Sequence, residues 1–182
     1  ALTKIASGDT LVLLPGSHAA LEILIDDKEV HFRGSTGDYR DVKIAANFQG
    51  RLLRVENTIA TFKHITFTEG SVGGNSAGGG ALSLGSNSDV EIVNCHFWNN
   101  QSNHDPENQG FMGGGAVAVF DAKRLVFKDC VFRDNSLNGA VNGSAVFIAH
   151  PDNATHKLSP VFERCYFVNN RTSLGNDLQN QL

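Results

Sequence analysis

Three stretches of this 182-residue chain repeat one frame: Asn94-Cys95-His96-Phe97-Trp98-Asn99-Asn100, Asp129-Cys130-Val131-Phe132-Arg133-Asp134-Asn135 and Arg164-Cys165-Tyr166-Phe167-Val168-Asn169-Asn170. The cysteines at 95, 130 and 165 stand 35 residues apart. A recurring frame of this length implies one structural unit copied along the chain, each copy completing its core by stacking on the next. The chain is therefore expected to be a solenoid.

The frame extends beyond the cysteines. Two residues after each stands Phe97, Phe132 or Phe167, and three before it stands Ile92, Phe127 or Phe162. An earlier copy, Phe62 to Phe67, carries Ile65 in the cysteine slot, and Val30-His31-Phe32 reads as an older one, so the phenylalanine column runs 32, 67, 97, 132, 167. A second column alternates apolar residues at 53/55, 82/84, 117/119 and 146/148, the period of two expected of strands. Like returns over like with no hairpin signal between equivalent strands, which demands parallel pairing. The fold expected is all-β: a single parallel β-helix of about four to five coils, right-handed by the resemblance given below. Residues 1–58 read as irregular entry coils, 59–170 as regular coils and 171–182 as an open C-terminal end. Phe67, Phe97, Phe132 and Phe167 would form one interior stack, and Ile65, Cys95, Cys130 and Cys165 another.

Composition agrees where it bears on this reading. Nineteen glycines against four prolines suit tight corners between short strands. A net charge of -4 offers no basic face for nucleic acid. No apolar run approaches the ~20 residues of a membrane span, and no signal-like segment opens the chain, which reads as a processed protein or an excised fragment.

The pairing of Gly79-Gly80-Ala81-Leu82, Gly114-Gly115-Ala116-Val117 and the departing Gly143-Ser144-Ala145-Val146 with Phe97 to Asn100, Phe132 to Asn135 and Phe167 to Asn170 resembles the repeats of chlamydial polymorphic outer membrane proteins. More broadly the chain is similar to the pectin-lyase-like right-handed β-helix superfamily, and the opening Gly8-Asp9-Thr10 to Gly16 is similar to the entry coil of such proteins. Phe67-Thr68-Glu69-Gly70 departs from the pattern by lacking the asparagine. These motifs make a fold, and a fold does not assign an activity.

The superfamily includes polysaccharide lyases and hydrolases, whose chemistry needs an acidic cluster with a positioned base or paired carboxylates. The outward positions of the phenylalanine strand are Thr66/Thr68, His96/Trp98, Val131/Arg133 and Tyr166/Val168, and the second column offers Arg54, Ser83, Ala118 and Phe147. Neither shows convergent carboxylates, and Asp26-Asp27 is the only Asp pair. The expectation is no catalytic residue, no metal and no cofactor. Stacked cysteines would sit at roughly the coil spacing, wider than the ~3.8 Å between Cβ atoms of a disulfide, so buried thiols are expected. His104 with Asp105 and Glu107, and His150 with Asp152 and His156, fall on different edges of the coil and read as solvated loop residues.

Asn100, Asn135 and Asn170 end the frame in register and read as an asparagine ladder at a corner. Asn100, Asn142, Asn153 and Asn170 also head N-glycosylation sequons, with Asn142 and Asn153 the better acceptors because they lie in loops. Trp98, His96 and Tyr166, expected to point outward, are candidates for contact with glycans or protein. The function expected is an extracellular or cell-surface, non-enzymatic structural or adhesive module, its partners being itself or cell-surface proteins and glycans. A carbohydrate-active enzyme or the passenger fragment of a surface autotransporter is the alternative. Neither Ala1 to Ile5 nor Gly175 to Leu178 looks like a polar cap, which leads to the expectation of head-to-tail assembly into fibres.

Overall fold

Three columns of corner residues set the turns of each coil. His64, Asn94, Asp129 and Arg164 form one, Glu69, Asn99, Asp134 and Asn169 the next, and Asp27, Asn57, Asn87 and Asp121 the third, all with φ between 47° and 58°. Left-handed backbone is costly for L-residues and least so for Asn and Asp, whose short side chains bond locally. Asn57, Asn87, Asn94, Asn99 and Asn169 take these positions.

The computed structural model describes residues 5–74, 78–104, 113–139, 143–149 and 158–173. Between corners run short strands. The first coil holds β1 (Asp9–Leu13), β2 (Gly16–Ala19) and β3 (Ile23–Asp26), and the second holds β4 (Glu29–Gly34), β5 (Val42–Ala45) and β6 (Leu53–Glu56). The third comprises β7 (Ile59–Lys63), β8 (Thr66–Thr68), β9 (Ser71–Gly74) and β10 (Leu82–Leu84). The fourth comprises β11 (Asp89–Val93), β12 (His96–Trp98), β13 (Gln101–His104) and β14 (Val117–Phe120). The fifth has β15 (Arg124–Lys128), β16 (Val131–Arg133), β17 (Ser136–Asn138) and β18 (Val146–Ala149), and the sixth adds β19 (Val161–Glu163), β20 (Tyr166–Val168) and β21 (Arg171–Thr172).

Equivalent strands pair in parallel into four sheets: β1-β4-β7-β11-β15-β19, β2-β5-β8-β12-β16-β20, β3-β6-β10-β14-β18 and β9-β13-β17-β21. The architecture is a right-handed parallel β-helix. The described residues form six coils, more than the repeat frame indicates, because the first two coils pair in register while lacking the motif. The fourth sheet replaces what the sequence presents as loops: Ser71, Gln101, Ser136 and Arg171 continue one ladder.

Inside, Phe67, Phe97, Phe132 and Phe167 stack with centroid separations of 5.1, 4.8 and 4.7 Å and interplanar angles of 13°, 5° and 4°. These spacings match the ~4.8 Å between strands, so each ring lies flat on the ring of the coil beside it. Phe32 does not belong to this column. It pairs with Phe62 on the first sheet, and Ile44 fills the slot before Phe67. The cause is the Ser35–Asp41 segment, inserted between β4 and β5, which displaces the second-sheet strand along the sequence. Ile65, Cys95 and Cys130 are buried at the corner between the first two sheets, whereas Cys165 on the last described coil is only partly buried. All three cysteines are free thiols, each donating to a carbonyl two residues back. Burial pushes the Cys95 thiol up to about 12, and the neighbouring Cys165 thiol together with burial raises Cys130.

The asparagine ladder closes the next corner. Asn135 Nδ2 donates to Phe97 O at 2.9 Å and to Asn170 Oδ1 at 2.9 Å, and its Oδ1 accepts from Asn100 N at 3.0 Å. Asn100 Nδ2 likewise donates to Phe67 O at 3.0 Å and Asn170 Nδ2 to Phe132 O at 2.9 Å. Gly70 takes the missing asparagine's place, its N–H donating to Asn100 Oδ1 at 2.9 Å. A Cβ there would lie 2.0 Å from Gly80 O, so no side chain fits the slot.

Ala1 to Lys4, Asn142, Asn153, Gly175 to Leu178 and residues 105–112 and 150–157 lie outside the described residues. No helix among the described residues is long and apolar enough to cross a membrane.

Candidate functional site

On the outer face of the second sheet the outward positions do not all meet solvent. Thr66 and Thr68 are each 3% exposed, and the Ser35–Asp41 segment folds across Thr66. Thr66 Oγ1 donates to Tyr39 O at 2.8 Å. Asn94 Nδ2 donates to Gly37 O at 3.1 Å and to His64 Nδ1 at 2.9 Å, so His64 carries its proton on Nε2.

The clamped segment delivers an aromatic cluster. Tyr39 meets His96 edge-on at 5.3 Å and 63°, and His96 lies parallel to Trp98 at 6.5 Å and 17°. The Arg40 guanidinium sits 5.5 Å from the Tyr39 ring centre. Arg40 pairs with Asp38 at 3.5 Å and Arg133 with Asp134 at 3.1 Å. The result is a patch of three rings flanked by two guanidiniums. Burial, reinforced by Arg133, holds the His96 imidazole below its ordinary value. Its Nε2 and Thr68 Oγ1 are buried without a hydrogen-bond partner among the described residues.

Of the three candidates read from sequence, His96 and Trp98 come together, and Tyr166 stands apart in the same column beyond Val131, 68% exposed. Tyr39 and Arg40 went unnoticed. The available signal was the length of Ser35–Asp41, seven residues where the other coils turn at His64-Ile65, Asn94-Cys95 or Asp129-Cys130.

Carboxylates are concentrated on the outer face of the first sheet, which the sequence reading passed over. Asp89 pairs with Arg124 at 3.0 Å, Glu91 with Lys128 at 3.1 Å and Glu29 with His31 at 3.4 Å, while His31 Nδ1 also meets Thr61 Oγ1 at 2.9 Å. Arg164 binds Asp129 at 2.6 and 2.9 Å and also pairs with Glu163. That hydrogen bonding holds the Asp129 carboxyl below the usual carboxylate range. The Asp89–Arg124, Glu91–Lys128 and Asp129–Arg164 pairs tie one coil to the next, and each contributes little, since it faces water. Asp26, of the Asp26-Asp27 pair, accepts from Asn57 Nδ2 at 3.1 Å. No three His, Cys, Asp or Glu side chains converge among the described residues in a way that would hold a metal ion.

The sequons at Asn100 and Asn170 are corrected by the ladder. Both residues are buried, at 0% and 8% exposure, and their amides are spent on main-chain carbonyls of the preceding coil. Neither is an acceptor in the folded chain. Asn142 and Asn153 fall outside the described residues, as do the side chains of His104 and His150.

A family model described as a right-handed β-helix region matches residues 16–179. A search of curated proteins finds no match. Among solved structures, a penultimately deglycosylated form of the pectin methylesterase from Aspergillus niger is similar at 15% identity and a TM-score of 0.36, covering 100% of this chain and 82% of that one. A deglycosylated form of that enzyme is similar at 13% identity and a TM-score of 0.33, covering 97% and 81%.

Proposed function

Because the chain belongs to the right-handed β-helix family, we propose that it is an extracellular, non-enzymatic structural or adhesive module whose outer aromatic face docks on a cell-surface protein or glycan. The observation that carries this reading is the Tyr39, His96 and Trp98 cluster, presented on a six-stranded sheet and rimmed by Arg40 and Arg133. Rigid rings with cationic edges supply contact area at small conformational cost, the composition that marks binding surfaces. The ion pairing of Asp89, Glu91 and Asp129 supports the same reading, since these carboxylates serve coil-to-coil attachment.

The test is twofold. Labelled protein should bind cell surfaces or a glycan and protein array, and Trp98→Ala should lose that binding with an unchanged circular dichroism spectrum. Pectate, alginate and methyl-esterified pectin should show no release of unsaturated ends, reducing ends or methanol. Turnover above a denatured control, abolished by one Asp or Glu substitution, would replace the adhesive reading with the enzymatic one.

A further inference from the structure

The corner between the first and second sheets carries a set of hydrogen-bond donors that the aromatic patch does not use. We infer that Arg33, Lys63 and His64 form a binding site for one phosphoryl group, a site that stands whether or not the aromatic face docks on a partner.

Register creates the site. Arg33 on β4 and Lys63 on β7 are partners on the outer face of the first sheet, their backbones about 4.8 Å apart. The other cations of this sheet are matched. Arg124 stands beside Asp89 and pairs with it at 3.0 Å, Lys128 pairs with Glu91 at 3.1 Å, and His31 faces Glu29 at 3.4 Å. Arg33 and Lys63 pair with no carboxylate among the described residues. Their neighbours along the row are Val12 and Val93, which carry no charge. Like charges side by side destabilise a sheet, so the fold keeps these two cations together at a cost.

The third donor is an imidazole of fixed tautomer. His64 turns the corner after Lys63 with a φ of 58°. Asn94 Nδ2 donates to its Nδ1, so the proton sits on Nε2, and that N–H meets no acceptor among the described residues. Gly34 holds the turn after Arg33 against this corner, since a Cβ there would lie 2.2 Å from His64 O. The two cations are felt at the ring. Burial first, and then the charges of Lys63 and Arg33, hold the His64 imidazole below its ordinary value. It is therefore neutral near pH 7 and donates without adding charge.

A phosphoryl group matches this set in charge and in shape. Its charge of about −1.5 to −2 near pH 7 meets the two permanent cations. Its terminal oxygens can be shared among a guanidinium, an ammonium and an imidazole N–H, whereas a carboxylate has one oxygen fewer to share. Lys63 and His64 are half-buried and Arg33 is exposed, so the site is open to water on one side and admits a free phosphate or the terminal group of a phosphate ester. The flanking valines and the matched Glu29 and Glu91 confine it to one such group. An anionic surface laid across the whole sheet would meet those carboxylates as well.

NMR of the imidazole resonances in the full chain, titrated with inorganic phosphate against chloride at constant ionic strength, tests the inference. The His64 resonances should shift saturably, and the His64 pKa should rise toward its ordinary value as the bound anion offsets Lys63 and Arg33. Arg33→Gln and Lys63→Gln should each weaken binding about fivefold, the effect of ~1 kcal/mol at an exposed site. The double variant should abolish binding while melting no lower than the wild type, because the repulsion leaves with the charges. Lys128→Gln, in the same row but matched to Glu91, should bind phosphate as the wild type does. Methyl phosphate separates the two sources: binding equal to that of phosphate assigns the site to an ester, and its exclusion assigns the site to the free ion. No saturable shift at His64, acetate bound as tightly as phosphate, or undiminished binding by the double variant would each overturn the assignment.

Discussion

Replacing Asn135 by alanine tests the coil at its most connected polar residue. The side chain is fully buried and makes bonds on both sides, to Phe97 O and Asn170 Oδ1 as donor and from the Asn100 backbone and Asn100 Nδ2 as acceptor. Alanine leaves Phe97 O and Asn100 N–H without these partners in a dry corner. A buried group stripped of its partner costs about 1–3 kcal/mol, so the two together cost about 2–6 kcal/mol. A water admitted to the vacated space lowers the figure, and we expect about 3 kcal/mol. Asn135→Asp keeps the shape, removes the donor and sets a carboxylate beside Asn170 Oδ1, so it should be at least as damaging. Asn138→Ala is the control: Asn138 makes a similar rung, donating to Asn103 Oδ1 at 2.7 Å, but at an exposed position, and should cost about 0.5 kcal/mol or less. Urea unfolding followed by circular dichroism measures the difference as a shift in midpoint at constant slope. If Asn135→Ala and Asn138→Ala lie within 0.5 kcal/mol of one another, an error-sized gap, burial is not what gives the ladder its strength.

Phe132→Ala, which removes a ring in contact with Phe97, Phe127 and Phe167, should cost about 3–5 kcal/mol by the same unfolding assay, and Phe32→Ala, stacked on Phe62 at the second coil, should cost less. A small thiol reagent should modify Cys165 in the native protein and reach Cys95 and Cys130 only after unfolding, as read by mass spectrometry. Burial holds the imidazoles of His64 and His96 below 6.5, so the folded chain binds fewer protons than the unfolded one in the window beneath that value. Stability should therefore be full above about pH 6.5 and fall as pH drops through that window, and His96→Gln should flatten the slope in thermal melts at stepped pH.

The part of the fold that repeats was legible because stacking like on like in a coil interior writes itself into the sequence as a column. Phe97, Phe132 and Phe167 could be aligned without coordinates for that reason. Residues 1–58 were read as entry coils, but their register escaped because Ile44 fills the slot as well as a ring does, while Phe32, a ring by chance of its own column, suggested the wrong alignment. The fourth sheet escaped because Ser71-Val72, Gln101-Ser102 and Ser136-Leu137 are too short and polar to show a period. At the candidate site, His96 and Trp98 were visible as outward members of a strand. Tyr39 was not, since a residue carried in by an insertion shares no register with what it covers.

The clamped Ser35–Asp41 segment changes how such a coil comes apart. In a stack where each layer touches only the next, unravelling can begin at either end and proceed one layer at a time. Here Thr66 ties Tyr39 to the third coil, and Asn94 ties Gly37 to the fourth, a bond spanning 57 residues. The second coil cannot peel away without releasing a rung two layers above it. Pulled from its N-terminal side, the molecule should yield the second, third and fourth coils in a single step, and amide protons across all three should exchange together.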